Sequence, residues 1–196
     1  PIGLPEIIEQ APRERFTEFW DIWYRPEKMT VVAVGDFDAA AVEQQIIAAF
    51  TALAARAPAQ SEPDLGQLPK FDGVRAYFHA EPESPATNVS INSLIPFVDE
   101  PDTAANRVKQ LPRQIALSML NRRFSELAKK EGAPFSGGGA GVSDGFRFMR
   151  QASVSLSCKP EQWPAALAVG EQELRRALEH GFEPGELKEI VSTFTN

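Results

Sequence analysis

Side chains able to carry chemistry are few in this chain and widely spaced. Zinc hydrolysis on a helix needs two histidines one turn apart with a glutamate as base. The chain has only His79 and His180, separated by more than half its length. His79 reads as the end of a strand, and His180 as a last-turn residue that complements a helix dipole. The lone Cys158 rules out an internal disulfide or a cysteine zinc cluster. It falls on the apolar face of an expected strand, where burial suppresses thiol ionisation. No Gly-x-Ser-x-Gly elbow is present. The run from Ser136 to Gly141 is rich in glycine, yet no Gly-Lys-Ser/Thr follows it, and Asp144 stands where a dinucleotide fingerprint needs glycine. It precedes an expected strand rather than a helix, so it lacks the helix N-terminus that holds phosphate. Glycines in a strand permit a bulge or the close approach of another backbone. Two readings follow: a bulged edge strand, or an edge that accepts an extended peptide. Gly138, Gly139 and the adjacent Phe135 are the candidate substrate-binding residues. No residue is a candidate catalyst or metal ligand, and the chain itself is expected to hold no cofactor.

The elements that would position these residues can be read from periodicity. At 196 residues, 43% apolar and 24% charged, the chain can bury a core and is not of disordered composition. A net charge of −7 without clustered Lys and Arg argues against a nucleic-acid surface. No apolar run is long enough to span a bilayer. Residues 12–24 read as a helix with Phe16, Phe19, Trp20 and Trp23 at core spacing; Arg25-Pro26 ends it. Residues 29–34 read as a fully buried strand, and Asp38 as the cap of a helix over residues 39–55 with the stripe Val42, Ile46, Phe50 and Leu53. Residues 56–73 hold Pro58, Pro63 and Pro69 and no periodicity, and so read as linker.

Beyond that point residues 74–79 and 87–97 read as two strands, and residues 102–130 as a long helix kinked or divided at Pro112. The buried face of that helix is Ile115, Met119, Leu120, Phe124 and Leu127. Arg122, Arg123, Lys129 and Lys130 read as a solvated face. Residues 135–144 and 146–159 form a second strand pair. In the latter, Ala152, Val154, Leu156 and Cys158 alternate with Gln151, Ser153, Ser155 and Ser157. Two helices close the chain, with stripes Trp163, Leu167, Gly170, Leu174, Leu178 and Leu187, Ile190, Phe194; Gly181 ends the first. The order gives an α+β fold: an antiparallel or mixed sheet with helices packed on one face. Neither terminus carries a targeting or stop signal, and both read as cuts in a longer polypeptide.

The run Pro1-Ile-Gly, followed by Phe19-Trp-Asp-Ile-Trp-Tyr-Arg-Pro-Glu-Lys-Met-Thr-Val-Val-Ala-Val-Gly-Asp-Phe-Asp38, strongly resembles the pitrilysin/insulinase family of zinc metallopeptidases. Asn121-Arg-Arg-Phe-Ser-Glu-Leu127 and Pro184-Gly-Glu-Leu-Lys-Glu extend the resemblance by pattern to the rest of the chain. It implies a half-domain of the processing-peptidase type. Residues 1–57 would end the zinc-bearing domain, 58–67 link, and 68–196 form most of a second, non-catalytic domain. The family's inverted His-x-x-Glu-His motif and third zinc ligand lie upstream of this landmark, so zinc is expected only in the full-length parent. A partner half of such enzymes supplies an Arg and a Tyr; the matching positions here, Ala128 and Phe135, can supply neither a guanidinium nor a phenol.

The resemblance implies a chamber wall that docks extended peptide. Its partners would be a peptide substrate, the zinc-bearing domain of the same polypeptide and a second half or homologous subunit. A bacterial periplasm or cell envelope is the implied location. The alternative is an inactive relative that serves as scaffold or partner subunit. Because such domains finish their sheet with a late strand, residues 30–34 are expected to fill a vacant edge of the second domain or to pair with another chain.

Overall fold

The computed structural model describes residues 3–195; Pro1, Ile2 and Asn196 lie outside the described residues, and with them the first two positions of the Pro1-Ile-Gly landmark. The chain divides into two units, Pro1–Asp64 and Leu65–Asn196.

In the first unit, α1 (Pro5–Gln10) starts on a proline, a residue suited to the first helical turn. The sequence reading did not include this helix. It is followed by α2 (Arg13–Trp23), a one-turn 3₁₀ helix (Pro26–Lys28) and α3 (Ala39–Phe50). Asp38 caps α3 as expected, with its Oδ1 accepting from the amides of Ala40 at 2.9 Å and Ala41 at 3.1 Å. The helix stops at Phe50, five residues before the expected end. Arg25 is buried; its Nε donates to Glu27 at 2.5 Å and its Nη1 to the Ala57 carbonyl at 2.6 Å, which ties the end of α2 to the start of the proline-rich stretch.

Two expectations fail in this unit. Phe16, Phe19 and Trp20 are exposed rather than core. The rings of α2 pair with each other instead, Trp20 stacking on Tyr24 at 3.9 Å and Phe19 tilting on Trp23 at 6.4 Å. Residues 29–34 form no strand, and Val34 is 92% exposed. A strand needs a neighbour for its amides and carbonyls, and among the described residues no ladder includes this segment.

In the second unit, β1 (Thr87–Pro96) leads into α4 (Ala104–Ala128), then β2 (Gly137–Gly145), β3 (Met149–Cys158), α5 (Trp163–His180) and α6 (Pro184–Thr195). The strands form one antiparallel sheet in the order β1-β3-β2. Thr103 caps α4 by accepting from Asn106 N at 3.2 Å, and the helix runs through Pro112 without division. Gly181, at φ +71°, ends α5.

Residues 74–79 do not form the expected strand; Val74, Tyr77 and Phe78 are exposed and without a ladder. The core is one cluster of Leu120, Phe124, Phe135, Val154, Leu156 and Ala166. It lies between α4, α5 and the apolar side of the sheet, which makes the fold the expected α+β layer. On α5 Gly170 is buried as expected, while Ala166 and Glu173 are buried one position before the expected Leu167 and Leu174, and Trp163 and Leu178 are exposed.

The expected basic face of α4 is also not uniformly solvated. Arg123 is buried and joins α4 to α6: its Nε donates to Glu186 Oε1 at 2.6 Å and its Nη2 to Oε2 at 2.7 Å. Its Nη2 also reaches the Gly181 carbonyl at 3.0 Å, and the guanidinium lies over the Phe182 ring. The paired guanidinium holds the Glu186 carboxyl below its ordinary value. A depressed carboxylate pKa stabilises the fold above the unfolded value, and that stabilisation is lost as pH falls through the folded one. Glu186→Gln is therefore expected to lower stability at neutral pH by about 1–3 kcal/mol, the scale of a charged hydrogen bond. It should also flatten the acid limb of the stability curve below the ordinary glutamate range, as followed by urea unfolding across pH. In the core, Phe124→Ala is expected to cost about 3–5 kcal/mol, whereas Val34→Ala should change the stability read from urea unfolding by no more than about 0.5 kcal/mol.

Candidate functional site

Pairing in the sheet determines which backbone groups remain available. In an antiparallel ladder each residue directs its N–H and C=O to the same side, and the side alternates along the strand. Phe97 N donates to Phe148 O at 3.2 Å, which extends the β1–β3 ladder through even-numbered β3 residues. Ser136 N donates to Ser157 O at 2.8 Å, so odd-numbered β3 residues serve β2. The register then turns the main chain of Gly138, Ala140, Val142 and Asp144 outward on β2, and that of Asn88, Ser90, Asn92 and Leu94 outward on β1. Both are sheet edges.

The glycines of β2 have specific causes. Gly138 sits at φ +141°, and a Cβ there would come within 2.1 Å of the Ser155 carbonyl oxygen. A Cβ on Gly139 would meet Asn121 Oδ1 at 2.5 Å. Asn121, from the middle of α4, lies against the outer edge of β2. Its Oδ1 accepts from Ala140 N at 2.6 Å and its Nδ2 donates to Ala140 O at 3.0 Å. One side-chain amide therefore satisfies both outward groups of Ala140. Among the described residues, nothing bonds the outward main-chain groups of Gly138 or Val142.

Phe135 is 3% exposed, its ring meeting that of Phe124 edge-on at 6.4 Å. It stands next to Gly138 and Gly139 in sequence but under the sheet in space. Of the three sequence candidates, the structure thus brings the two glycines to the edge and places the phenylalanine in the core. Asn121 was not singled out from the sequence. The available signal was an asparagine inside a helix, where its propensity is poor, followed by a glycine run long enough to let it approach.

The sheet face opposite the core carries Asn88, Ser90 and Asn92 beside Ser153, Ser155 and Ser157. Gln151 Nε2 donates to Asn92 Oδ1 at 2.7 Å, and Ser157 Oγ to Asn88 Oδ1 at 2.6 Å. This surface is polar and, over those positions, uncharged. At the far end of β2, Arg150 holds Asp144 through contacts of 2.6 and 3.1 Å and lowers its carboxyl pKa.

Among the described residues no group of three His, Cys, Asp or Glu comes together, so the donor set does not suit zinc. His180 ends α5, and His79 lies in an exposed, irregular stretch. Burial, with a contribution from Glu161, pushes the Cys158 thiol up, away from nucleophilic use. Ala128 packs on the core cluster at the end of α4. No described helix is long and apolar enough to cross a membrane.

The chain is similar in sequence or in fold to several proteins named as proteases. A "Zinc protease PQQL-like" of Arabidopsis thaliana is 28% identical over 136 residues, which is 69% of this chain and 14% of that protein. The first half of the periplasmic protease PqqL from Escherichia coli superposes with a TM-score of 0.70 at 22% identity, covering 98% of this chain and 41% of that one. A predicted insulinase family protease from Yersinia pestis gives a TM-score of 0.63 at 18% identity, covering 100% and 40%. The chain thus spans well under half the length of each of these proteins.

Gly139→Ala is expected to push Asn121 off Ala140 and to cost about 1–2 kcal/mol in urea unfolding, the scale of one or two hydrogen bonds. Gly141→Ala, with open space at its Cβ, should cost less than half as much.

Residues 10–194 match the family described as "Peptidase M16 inactive domain", and the chain belongs to that family.

Proposed function

We propose that this chain is a non-catalytic part of a zinc metallopeptidase, walling a substrate chamber and docking extended peptide. The parent would be a bacterial protein of the periplasm, as the Escherichia coli relative is. Residues 1–57 would belong to the zinc-bearing domain and residues 68–196 to the second domain. The observation that carries the docking role is the outer edge of β2, where the register leaves Gly138 and Val142 with unpaired outward amides and carbonyls. Such an edge takes an added strand through main-chain hydrogen bonds, which suits a protease that must hold many sequences in one extended form. The polar, uncharged sheet face supports the wall role, because it can border a wet chamber without repelling peptides of either charge. The exposed aromatics of α2 support placing the first unit in a larger domain, since contiguous apolar surface of this kind marks a contact face. Catalysis would rest with the metal-bearing segment of the parent, as no described group here is arranged to activate water.

The experiment is an anisotropy titration of the 196-residue chain with a fluorescein-labelled octapeptide of alternating valine and threonine with lysine ends. Saturable binding is expected. Val142→Pro removes one outward N–H without touching the β3 ladder and should weaken binding by about fivefold or more, the loss of one hydrogen bond. Binding indifferent to Val142→Pro would remove this edge from consideration. In parallel, the chain with added zinc should leave a dye-quenched casein uncleaved; zinc-dependent cleavage would overturn the non-catalytic assignment.

A further inference from the structure

Resting on the docking role proposed above, we infer that Asn121 regulates that edge by standing in for a peptide. A docked antiparallel strand would give Ala140 one carbonyl acceptor for its N–H and one amide donor for its C=O. Asn121 already supplies both from a single side chain, at 2.6 and 3.0 Å. The arrangement is built rather than incidental. Glycine at position 139 is what leaves room for the carboxamide oxygen, since a Cβ there would lie 2.5 Å from it. Asn121 is half-buried, and the rigid helix that carries it is anchored one turn away by Phe124 in the core and next door by the Arg123–Glu186 pair.

The edge is therefore plugged at its centre and open on both sides, at Gly138 and Val142. A peptide strand that pairs continuously along β2 must displace the carboxamide. A peptide held only at the flanking positions need not. Asn121 thus sets the affinity of the edge and selects for peptides able to pair through the centre. It is a specificity-determining residue that the side-chain types alone do not announce. Because the plug is a side-chain amide on a helix, displacing it requires only a rotamer change and no movement of the fold.

The test compares wild type, Asn121→Ala and the double variant Asn121→Ala/Val142→Pro, with the octapeptide above and amide exchange by NMR. Asn121→Ala frees two main-chain groups and should tighten binding about twentyfold or more, the scale of two net hydrogen bonds. The double variant should bind about fivefold more weakly than Asn121→Ala, the loss of the Val142 N–H bond. Independently of any peptide, exchange at the Ala140 amide should rise in Asn121→Ala to the rate of Val142, while the Leu156 amide in the sheet interior stays protected. An Ala140 amide that stays protected would overturn the inference whatever the peptide does. Unchanged affinity in Asn121→Ala, with wild-type binding still sensitive to Val142→Pro, would overturn the plug and leave edge docking intact. Binding by Asn121→Ala that is indifferent to the added Val142→Pro would overturn both. If Asn121→Ala loses the protection at Leu156, Asn121→Ser, too short to reach Ala140, replaces it under the same criteria.

Discussion

The second unit depends on β3, which among the described strands is the one with a neighbour on each side. Its even-numbered residues give their main-chain groups to β1 and their side chains to the core; its odd-numbered residues give theirs to β2 and to the polar face. Val154 and Leu156 are consequently committed twice, by ladder and by packing, and a one-residue slip would expose both. Their burial is completed from above by α5, which comes close because its contact positions are Ala166 and Gly170. A Cβ at Gly170 would sit 3.3 Å from Leu156 Cδ1, tighter than ordinary packing. From the other side Phe124 and Phe135 close the cluster edge to face. The α4 axis is set by that contact and by the Arg123–Glu186 pair, and the position of Asn121 follows from the axis.

What the sequence revealed, and what it concealed, divides along the same line. β3 and α4 were legible because their periodicity matches the environment they meet: alternation for a half-buried strand, and a Leu120–Phe124 step for a helix lying on a sheet. The Asp38 cap and the Gly181 stop were legible because each satisfies its helix end locally. Residues 29–34 and 74–79 misled for one reason. A β-branched or aromatic run advertises that a strand would be favourable but not that a neighbour exists, and strand structure is a property of pairs. The aromatic spacing of α2 misled in a related way, since helical periodicity marks a face without saying what covers it. In the candidate site, the glycines were legible as a permissive edge. Their cause, the close approach of a side chain from α4, is a tertiary fact that no window of sequence contains.

The two units also differ in how they hold together. The second has a contiguous apolar core, while in the first the buried residues among those described are Ile22 and Arg25. Ring pairs such as Trp20–Tyr24 and the Asp38 cap fix local shape there, but a few tenths to about one kcal/mol apiece does not offset the ordering entropy of a segment this long. The helices of the first unit leave most of their large apolar residues exposed.

The manner in which the β2 edge is guarded bears on how it would work. Proteins commonly protect an edge by means that are permanent in the fold: a proline, an inward lysine, a bulge, or a covering loop. Here Ser136 and Gly137 both oppose Ser157, an irregularity at the start of β2, and the centre of the strand is closed by a carboxamide. Exchanging that carboxamide for a peptide amide trades hydrogen bonds of the same kind, so the exchange itself is close to thermoneutral. What decides occupancy is then the flanking positions, where a longer strand gains bonds that the side chain cannot make. Length and continuity of the extended segment, rather than its side-chain identity, become the discriminating variables. A short or bent segment meets an edge already satisfied, whereas a long one meets an edge with two open ends and a displaceable centre.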